Sequence, residues 1–274
     1  MSDIMVISSL LKEYTVRRDD AIKLLAHMFG CSYHDLFFKT HVNVPLAIQP
    51  SVCNGLRRLA SGEPVSKIIQ KKEFYGIEFK TNKYTMDPRP ETELIIDLVT
   101  KYYRSLDEHL TILDLGSGTG CIGLSLLTMY KNAVCSFVDI DANAIAVALE
   151  NACNLDVSTR CEFILSDWFT NVSGIFDIIT CNPPYVSTNF ELDVATSFDP
   201  EIALFAGEEG MNAYITILPK MKNFLKRGGK AFIEVGFDQR EKVANIEHGM
   251  KVVSINNDLN GIPRVITLCL FDSF

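Results

Sequence analysis

No run of the chain approaches the ~20 consecutive apolar residues that a membrane-spanning helix needs. The opening residues carry an early acid, Asp3, and no cationic stretch, so a secretory signal is not expected. Eight cysteines (31, 53, 121, 135, 153, 161, 181, 269) include no Cys-x-x-Cys pair and sit mostly in apolar surroundings, as small core residues do. That usage argues against a disulfide framework and suits a reducing cytoplasm. The five histidines show no His-x-x-x-His or comparable ligand spacing, so no metal is expected. There is no internal repeat and no low-complexity segment. Trp168 is the single tryptophan.

What is present is globular: 274 residues with 47% hydrophobic and 22% charged side chains. The charge is uneven. Residues 1–75 hold ten Lys/Arg against seven Asp/Glu, a net +3, and the remainder holds sixteen against twenty-seven, a net −11, giving −8 in all. An acidic major part disfavours a partner bound through its phosphate backbone, because that affinity comes from neutralising phosphates.

The first ~70 residues read as helical. Ile4, Ile7, Leu10, Leu11 and Tyr14 share a helical face over residues 3–15. A second helix fits Arg18–Phe29 with Gly30 to stop it. A short piece starts near Ser32, and another helix fits Pro50–Ala60. No β-type alternation is evident before Glu73. Phe74–Thr81 then alternates, with Asn82-Lys83 as the expected hairpin turn. Pro90, Glu91 and Glu93 suit the start of a helix over Leu94–Tyr103.

Beyond this point strands and helices alternate. Strands are expected at 110–114, 133–138, 163–165 and 176–180, with helices over 122–130 and 143–154 between them. Strands at 231–235 and 264–271 close the chain as an antiparallel pair. This order predicts an α/β fold with a doubly wound, mostly parallel sheet.

Two stretches carry chemistry. Asp114-Leu-Gly116-Ser117-Gly118-Thr119-Gly120 lies at the first strand-to-helix turn, where open α/β sheets bind ligands. Asp139, about 20 residues on at the next strand's end, is placed to accept ribose hydroxyls. The overlapping Gly118-x-Gly120-x-x-Gly123 is also a dinucleotide fingerprint, weak when alone. An acid at position 114 would repel a pyrophosphate, yet it can orient an ammonium group or loop amides. S-adenosylmethionine has an ammonium, a sulfonium and no phosphate. The second stretch is Asn182-Pro183-Pro184-Tyr185, after the strand at 176–180. Two prolines fix φ, lack N–H groups and hold their predecessors extended. The stiff corner either ends a strand and nothing more, or presents an amide oxygen and free carbonyls to a planar hydrogen-bonding group.

With these residues in place, the chain resembles the release-factor glutamine methyltransferases, the PrmC/HemK family, over nearly its whole length. The matching stretches include Glu73-Phe-Tyr-Gly76, Pro88-Arg-Pro-Glu-Thr-Glu93, the glycine loop, Asp139, Ser166-Asp-Trp-Phe169, Asn182–Tyr185, Phe198–Leu204, Gly228-Gly229 with Glu234, and Asp258–Val265. The Pro88–Glu93 block joined to a helical N-terminal domain is the most specific of them. Asp87 stands where the family usually has an aliphatic residue, and the glycine common between Ile69 and Glu73 is absent.

The resemblance implies a seven-stranded Rossmann-like methyltransferase sheet over residues 89–274, an N-terminal helical recognition domain at 1–72, and a hairpin linker at 73–88. It implies N5-methylation of the glutamine in the Gly-Gly-Gln loop of class I peptide-chain release factors, with S-adenosylmethionine as methyl donor and S-adenosylhomocysteine as product. By carry-over, Gly116, Ser117, Gly118, Thr119 and Gly120 contact the methionine part of the cofactor and Asp139 its ribose. Asp167 and Trp168 lie by the adenine, although Trp168 also suits ordinary core. Asn182, Pro183, Pro184 and Tyr185 would hold the substrate amide, with Asn182 also near the cofactor and Asn182, Pro183 and Tyr185 the catalytic set. Glu91 suits either helix capping or the cofactor's amino group, and Arg89 a loop anchor. A cytoplasmic monomer without nucleic-acid specificity is expected. An exocyclic amine of adenine in DNA or RNA, or a ribosomal-protein glutamine, remains the alternative guest for the same corner.

Overall fold

The computed structural model describes residues 2–271. The chain divides into two units, residues 1–71 with 192–198, and residues 72–191 with 199–274.

The first unit holds β1 (Ser2–Val6), α1 (Ile7–Tyr14), α2 (Arg18–Phe29), α3 (Tyr33–Phe37), β2 (His41–Pro45), α4 (Gln49–Ala60) and α5 (Val65–Ile69). Gly30 ends α2 at φ 64°, and Ser32 and Asp35 form a reciprocal capping box on α3. One core collects Ile22, Leu24 and Leu25 of α2 with Val52 and Leu56 of α4. The purely helical expectation needs correction here. Residues 2–6 are a strand, and β1 pairs antiparallel with β2, Ser2 opposite Pro45 and Val6 opposite His41. In β2 only Val42 and Val44 are buried, a period-2 alternation too short to stand out. Its partner lies some 40 residues away, so the pairing leaves no local signal.

The second unit begins with a hairpin, β3 (Lys71–Phe74) and β4 (Ile77–Lys80). Its turn is Tyr75-Gly76, at φ 51° and 73°, and not Asn82-Lys83. Positive φ at both central residues is what a two-residue hairpin turn demands. Tyr75 is an unfavoured residue there, and tertiary bonds hold it. Its N–H donates to Glu93 Oε1 at 2.8 Å and its hydroxyl to Asp97 at 2.9 Å.

A 3₁₀ turn at Pro90–Thr92 runs into α6 (Glu93–Tyr102), followed by β5 (Thr111–Leu115), α7 (Cys121–Met129), β6 (Val134–Asp139), α8 (Ala142–Asn154), β7 (Cys161–Leu165) and β8 (Phe176–Cys181). Next come α9 (Asn212–Met221), β9 (Leu225–Glu234), α10 (Arg240–Ala244), β10 (Met250–Asn257) and β11 (Pro263–Leu270). The seven strands lie in the order β10-β11-β9-β8-β5-β6-β7. Those from β9 to β7 are parallel, and β11 runs antiparallel to both β9 and β10. Helix α9 and strand β10 are additional to the elements legible in the sequence.

Each face of the sheet has its own core. Ile112 packs with Ile95, Leu124, Leu127 and Phe137 on one side. Leu113 and Leu115, its neighbours in β5, pack with Tyr214, Ile217 and Leu218 on the other, as strand alternation requires. Helix α7 is buried from Cys121 through Leu127, so it needs a small residue where it crosses β6. Gly123 is that residue. A Cβ there would lie 2.5 Å from Phe137 Cε1 and 2.8 Å from Cys135 Sγ. We therefore expect Gly123→Ala to destabilise by about 1–3 kcal/mol through overpacking, outweighing the roughly 1 kcal/mol that alanine gains in helix propensity. A urea-unfolding midpoint at or above that of the parent chain would contradict this packing account.

Candidate active site

The chain winds outward from β5 to β7, then returns to place β8 on the other side of β5. Strand order reverses at this pair, so the loops after β5 and β8 diverge over a crevice at the carboxyl edge of the sheet. A cavity of about 350 Å³ lies there. Gly116, Ser117, Gly118, Thr119, Asp139, Asp167, Trp168, Asn182 and Pro184 all line it. Gly120, Pro183 and Tyr185 are not among its lining residues.

The glycine loop takes its shape from left-handed backbone at Gly116, Gly118 and Gly120, with φ 73°, 54° and 77°. The N–H groups of Gly116 and Ser117 both donate to the Val138 carbonyl, at 2.8 and 2.9 Å, fastening the loop to the end of β6. Gly120 serves packing and conformation, since a Cβ there would lie 3.0 Å from Leu124 Cδ1 and 3.2 Å from Ala148 Cβ. At Gly116 a Cβ would meet the Trp168 ring at 3.5 Å, so the indole stands over bare backbone. Trp168 itself is at φ 48°. It is half-buried and packs on the second core while still lining the cavity.

Three acids, Asp114 and Glu234 buried and Asp139 half-buried, sit in or beside the crevice, and their partners separate their roles. Asp139 accepts the Gly118 N–H on one oxygen at 2.8 Å and the Asp141 N–H on the other at 3.0 Å. The carboxylate lines the cavity and keeps acceptor capacity for a ligand hydroxyl. Burial raises its pKa against these stabilising amides. Asp114 instead turns into the fold. It accepts the Gly123 N–H of α7 at 3.1 Å and the Thr180 hydroxyl of β8 at 2.8 Å, which is the loop-orienting alternative. Burial pushes its carboxyl up to about 7. Glu234, at the end of β9, accepts Thr92 Oγ1 at 2.6 Å and the Tyr185 hydroxyl at 3.2 Å, and burial raises it likewise to about 7.

The Asn-Pro-Pro-Tyr corner is clamped from behind. Gln239 Nε2 donates to the Tyr185 carbonyl at 3.0 Å, and that carbonyl packs so closely on Gly210 that no side chain fits there. Asn182 Nδ2 donates to Thr92 Oγ1 at 3.1 Å. Asn182 Oδ1 is buried and has no hydrogen-bond partner among the described residues. A buried acceptor of this kind at a cavity wall fits a ligand N–H.

Arg89 is a loop anchor. Its guanidinium donates to Asp199 at 2.6 Å, and the Asp87 N–H donates to the other oxygen of that carboxylate at 3.0 Å. Asp87 is buried and accepts the Thr81 hydroxyl at 2.8 Å, so an acid is accommodated where an aliphatic residue is usual in the family it resembles. Glu91 bears on the site as a charge that raises Glu234. Sequence reasoning missed the Thr92–Glu234 pair and the wall formed by Ile202, Phe205 and Asn212. Both residues of the pair fell in motif stretches, but nothing local shows that they meet.

Among the described residues no helix is long and apolar enough to cross a membrane, and no cluster of His, Cys, Asp and Glu could hold a metal. Comparison with known proteins gives a matching family model, the methyltransferase small domain, over residues 92–199. The release factor glutamine methyltransferase of Agrobacterium fabrum is 36% identical over 90% of this chain and 89% of its own. That of Caulobacter vibrioides is 38% identical over 77% of this chain and 75% of its own. The bifunctional methyltransferase of Rickettsia bellii is 37% identical over 90% of this chain, which spans 50% of that longer protein. Among solved structures, the hMettl16 catalytic domain in complex with a MAT2A 3′UTR hairpin superposes with a TM-score of 0.58 at 14% identity, covering 80% of this chain and 83% of that one. At that identity the likeness is one of fold.

The Asp114 geometry has a consequence for stability. A folded-state pKa raised from 3.8 to about 7 makes the carboxyl most compatible with the fold below pH ~4. Its contribution is then lost as pH rises through 7. Asp114→Asn keeps an acceptor for Gly123 without the charge, so we expect the fall in unfolding free energy between about pH 4 and 7 to shrink by on the order of a few kcal/mol. An unchanged pH slope in urea unfolding of the variant would show that Asp114 does not carry it.

Proposed function

The chain belongs to the release factor glutamine methyltransferase family, and from that premise we propose that it transfers a methyl group from S-adenosylmethionine to the N5 amide nitrogen of the Gly-Gly-Gln glutamine in class I peptide-chain release factors, modulating translation termination. The observation that carries this reading is Asn182 Oδ1, a buried, unpartnered acceptor on a residue that lines the cavity.

S-adenosylmethionine supplies an electrophilic methyl group. The rest falls to the chain. Gly116, Ser117, Gly118 and Thr119 would hold the methionine portion, with bare backbone at the two glycines. Asp139 would accept from the ribose hydroxyls, and Trp168 with Asp167 would flank the adenine. A carboxamide nitrogen is a weak nucleophile, because its lone pair is delocalised into the carbonyl. It carries two N–H groups, and holding both fixes where that lone pair points. Asn182 Oδ1 would accept one and the Pro183 carbonyl the other. The two prolines, and Gln239 behind Tyr185, keep these acceptors from swinging away. As the nitrogen's lone pair forms the new N–C bond, one N–H proton is released. The chain's contribution is proximity, orientation and electrostatics.

We further propose that it works as a cytoplasmic monomer without nucleic-acid specificity. The eight cysteines are all unpaired, and the net −11 beyond residue 75 repels a phosphate backbone.

The test is to supply labelled cofactor with a release factor, a ribosomal-protein fraction or nucleic acid, and to locate the label. Transfer to the Gly-Gly-Gln glutamine is expected. Label on adenine, or on a ribosomal-protein glutamine and not the release factor, would displace the reading. Asn182→Ala should leave cofactor affinity within a few-fold and lower single-turnover transfer roughly 10²-fold, the scale of losing one preorganised contact. A near-parental rate would remove Asn182 from the acceptor role.

A further inference from the structure

A side-chain amide at a cavity wall can present either its oxygen or its nitrogen. The two ends are almost the same size, so only its partners choose between them. For Asn182 the choice is made behind the cavity, in a chain of bonds that reaches β9. Asn182 Nδ2 meets Thr92 Oγ1 at 3.1 Å, Thr92 Oγ1 meets Glu234 Oε2 at 2.6 Å, and the Tyr185 hydroxyl meets Glu234 Oε1 at 3.2 Å. Thr92 and Glu234 are almost wholly buried. Thr92 precedes α6 at the position where a threonine ordinarily accepts a helix N–H, yet it caps nothing. Its hydroxyl is committed to this chain.

The direction of the chain follows from counting protons. An ionised carboxylate only accepts, and a threonine hydroxyl has one proton to give. That proton goes to Glu234, so Thr92 meets Asn182 as an acceptor. Asn182 must then turn its NH2 to Thr92, which leaves Oδ1 turned away from Thr92 and without a partner, on a residue that lines the cavity. Resting on the reading given above, we propose that Thr92 and Glu234 are positioning residues that hold Asn182 with its oxygen presented to the acceptor amide, and that a proton on Glu234 reverses the chain. A protonated Glu234 donates to Thr92, Thr92 then donates to Asn182, and the amide turns its NH2 outward. Two donors then face each other, Asn182 NH2 and the incoming N–H, and the acceptor amide is no longer held.

The surroundings set where this reversal falls. Burial raises the Glu234 carboxyl to about 7, with Glu91 of the 3₁₀ turn acting in the same direction. Thr92, Tyr185 and Arg264 of β11 act against it, favouring the charged form. Tyr214 of α9 donates its hydroxyl to the Glu234 carbonyl and faces the same site. A raised pKa means that the acceptor-presenting state gains population as pH rises through 7.

The experiment is single-turnover methyl transfer to a release factor between about pH 5.5 and 9, with cofactor affinity measured in parallel. The parent rate should rise through about pH 7. In Glu234→Gln the Tyr185 hydroxyl claims the amide oxygen, the nitrogen faces Thr92, and the chain is locked in reverse. The rate should be flat with pH and about 10²-fold below the parent's plateau above pH 7, converging on the parent at low pH, with cofactor affinity within a few-fold. Thr92→Ser should keep both rate and limb. Thr92→Val, close in shape and without the hydroxyl, should lose the limb, and it reports even if Glu234→Gln folds poorly. A limb that persists in either Glu234→Gln or Thr92→Val overturns the proposal, as does a rate in Glu234→Gln that matches the parent's plateau. The side-chain NH2 resonances of Asn182, assigned against Asn182→Asp, give a reading that needs no acceptor protein. They should titrate with Glu234 in the parent and not in Thr92→Val. If they do so while the release factor is not methylated, the positioning role stands and the substrate reading falls. Resonances that stay flat through the titration overturn the positioning role whatever the acceptor.

Discussion

The Asp114 carboxyl is almost wholly buried and has two partners, the amide of Gly123 at the head of α7 and the hydroxyl of Thr180 on β8. It joins the three elements whose ends form the crevice. Take it away, and the glycine loop and the Asn-Pro-Pro-Tyr corner lose their common reference. Everything at the site is measured from this junction. The loop after β5 is fastened outward to Val138 of β6, and the corner after β8 is fastened through Thr92 to α6 and through Glu234 to β9. The cavity is the gap that these opposed fastenings leave open.

Strand order explains why such a gap exists. Between β5 and β8 the winding reverses, and consecutive loops depart in opposite directions. One loop is glycine-rich, and its bare backbone lets a ligand approach. The other is proline-rich, and its two prolines bring no N–H of their own. Composition and topology therefore agree. Glycine stands where contact with a cofactor would be close, and proline where an acceptor must not move.

How much of this could be read from the chain depended on how local the cause was. The βα alternation, the loop at Gly116–Gly120 and the stiffness of Asn182–Tyr185 are written in neighbouring residues. The turn at Tyr75-Gly76 was not, because Tyr75 holds φ 51° only with Glu93 and Asp97 binding it from α6. Strands β1 and β2 were missed for a related reason, since each is a five-residue piece whose pairing lies across the first unit. At the site the same rule applies. Asp139 was found from its spacing after the glycine loop. The meeting of Thr92 with Glu234, 142 positions apart, depends on β9 lying beside β8.

An unpaired buried acceptor costs a fold about 1–3 kcal/mol. Natural cores remove such atoms unless something else needs them. Asn182 Oδ1 keeps this cost because the easy escape is closed. Rotation of the amide would bring Oδ1 to Thr92, but Thr92 has already given its proton to Glu234. The prolines prevent the backbone from carrying the side chain elsewhere. The strain is thus local and directional, and a guest N–H at that wall would relieve it. Three acids at the site divide the work by their partners. Asp114 spends its lone pairs on the fold, and Asp139 shares its own between a loop and the cavity. Glu234 never reaches the cavity and acts on it through a hydroxyl and an amide. Environment, not residue type, separates support, ligation and orientation in this site.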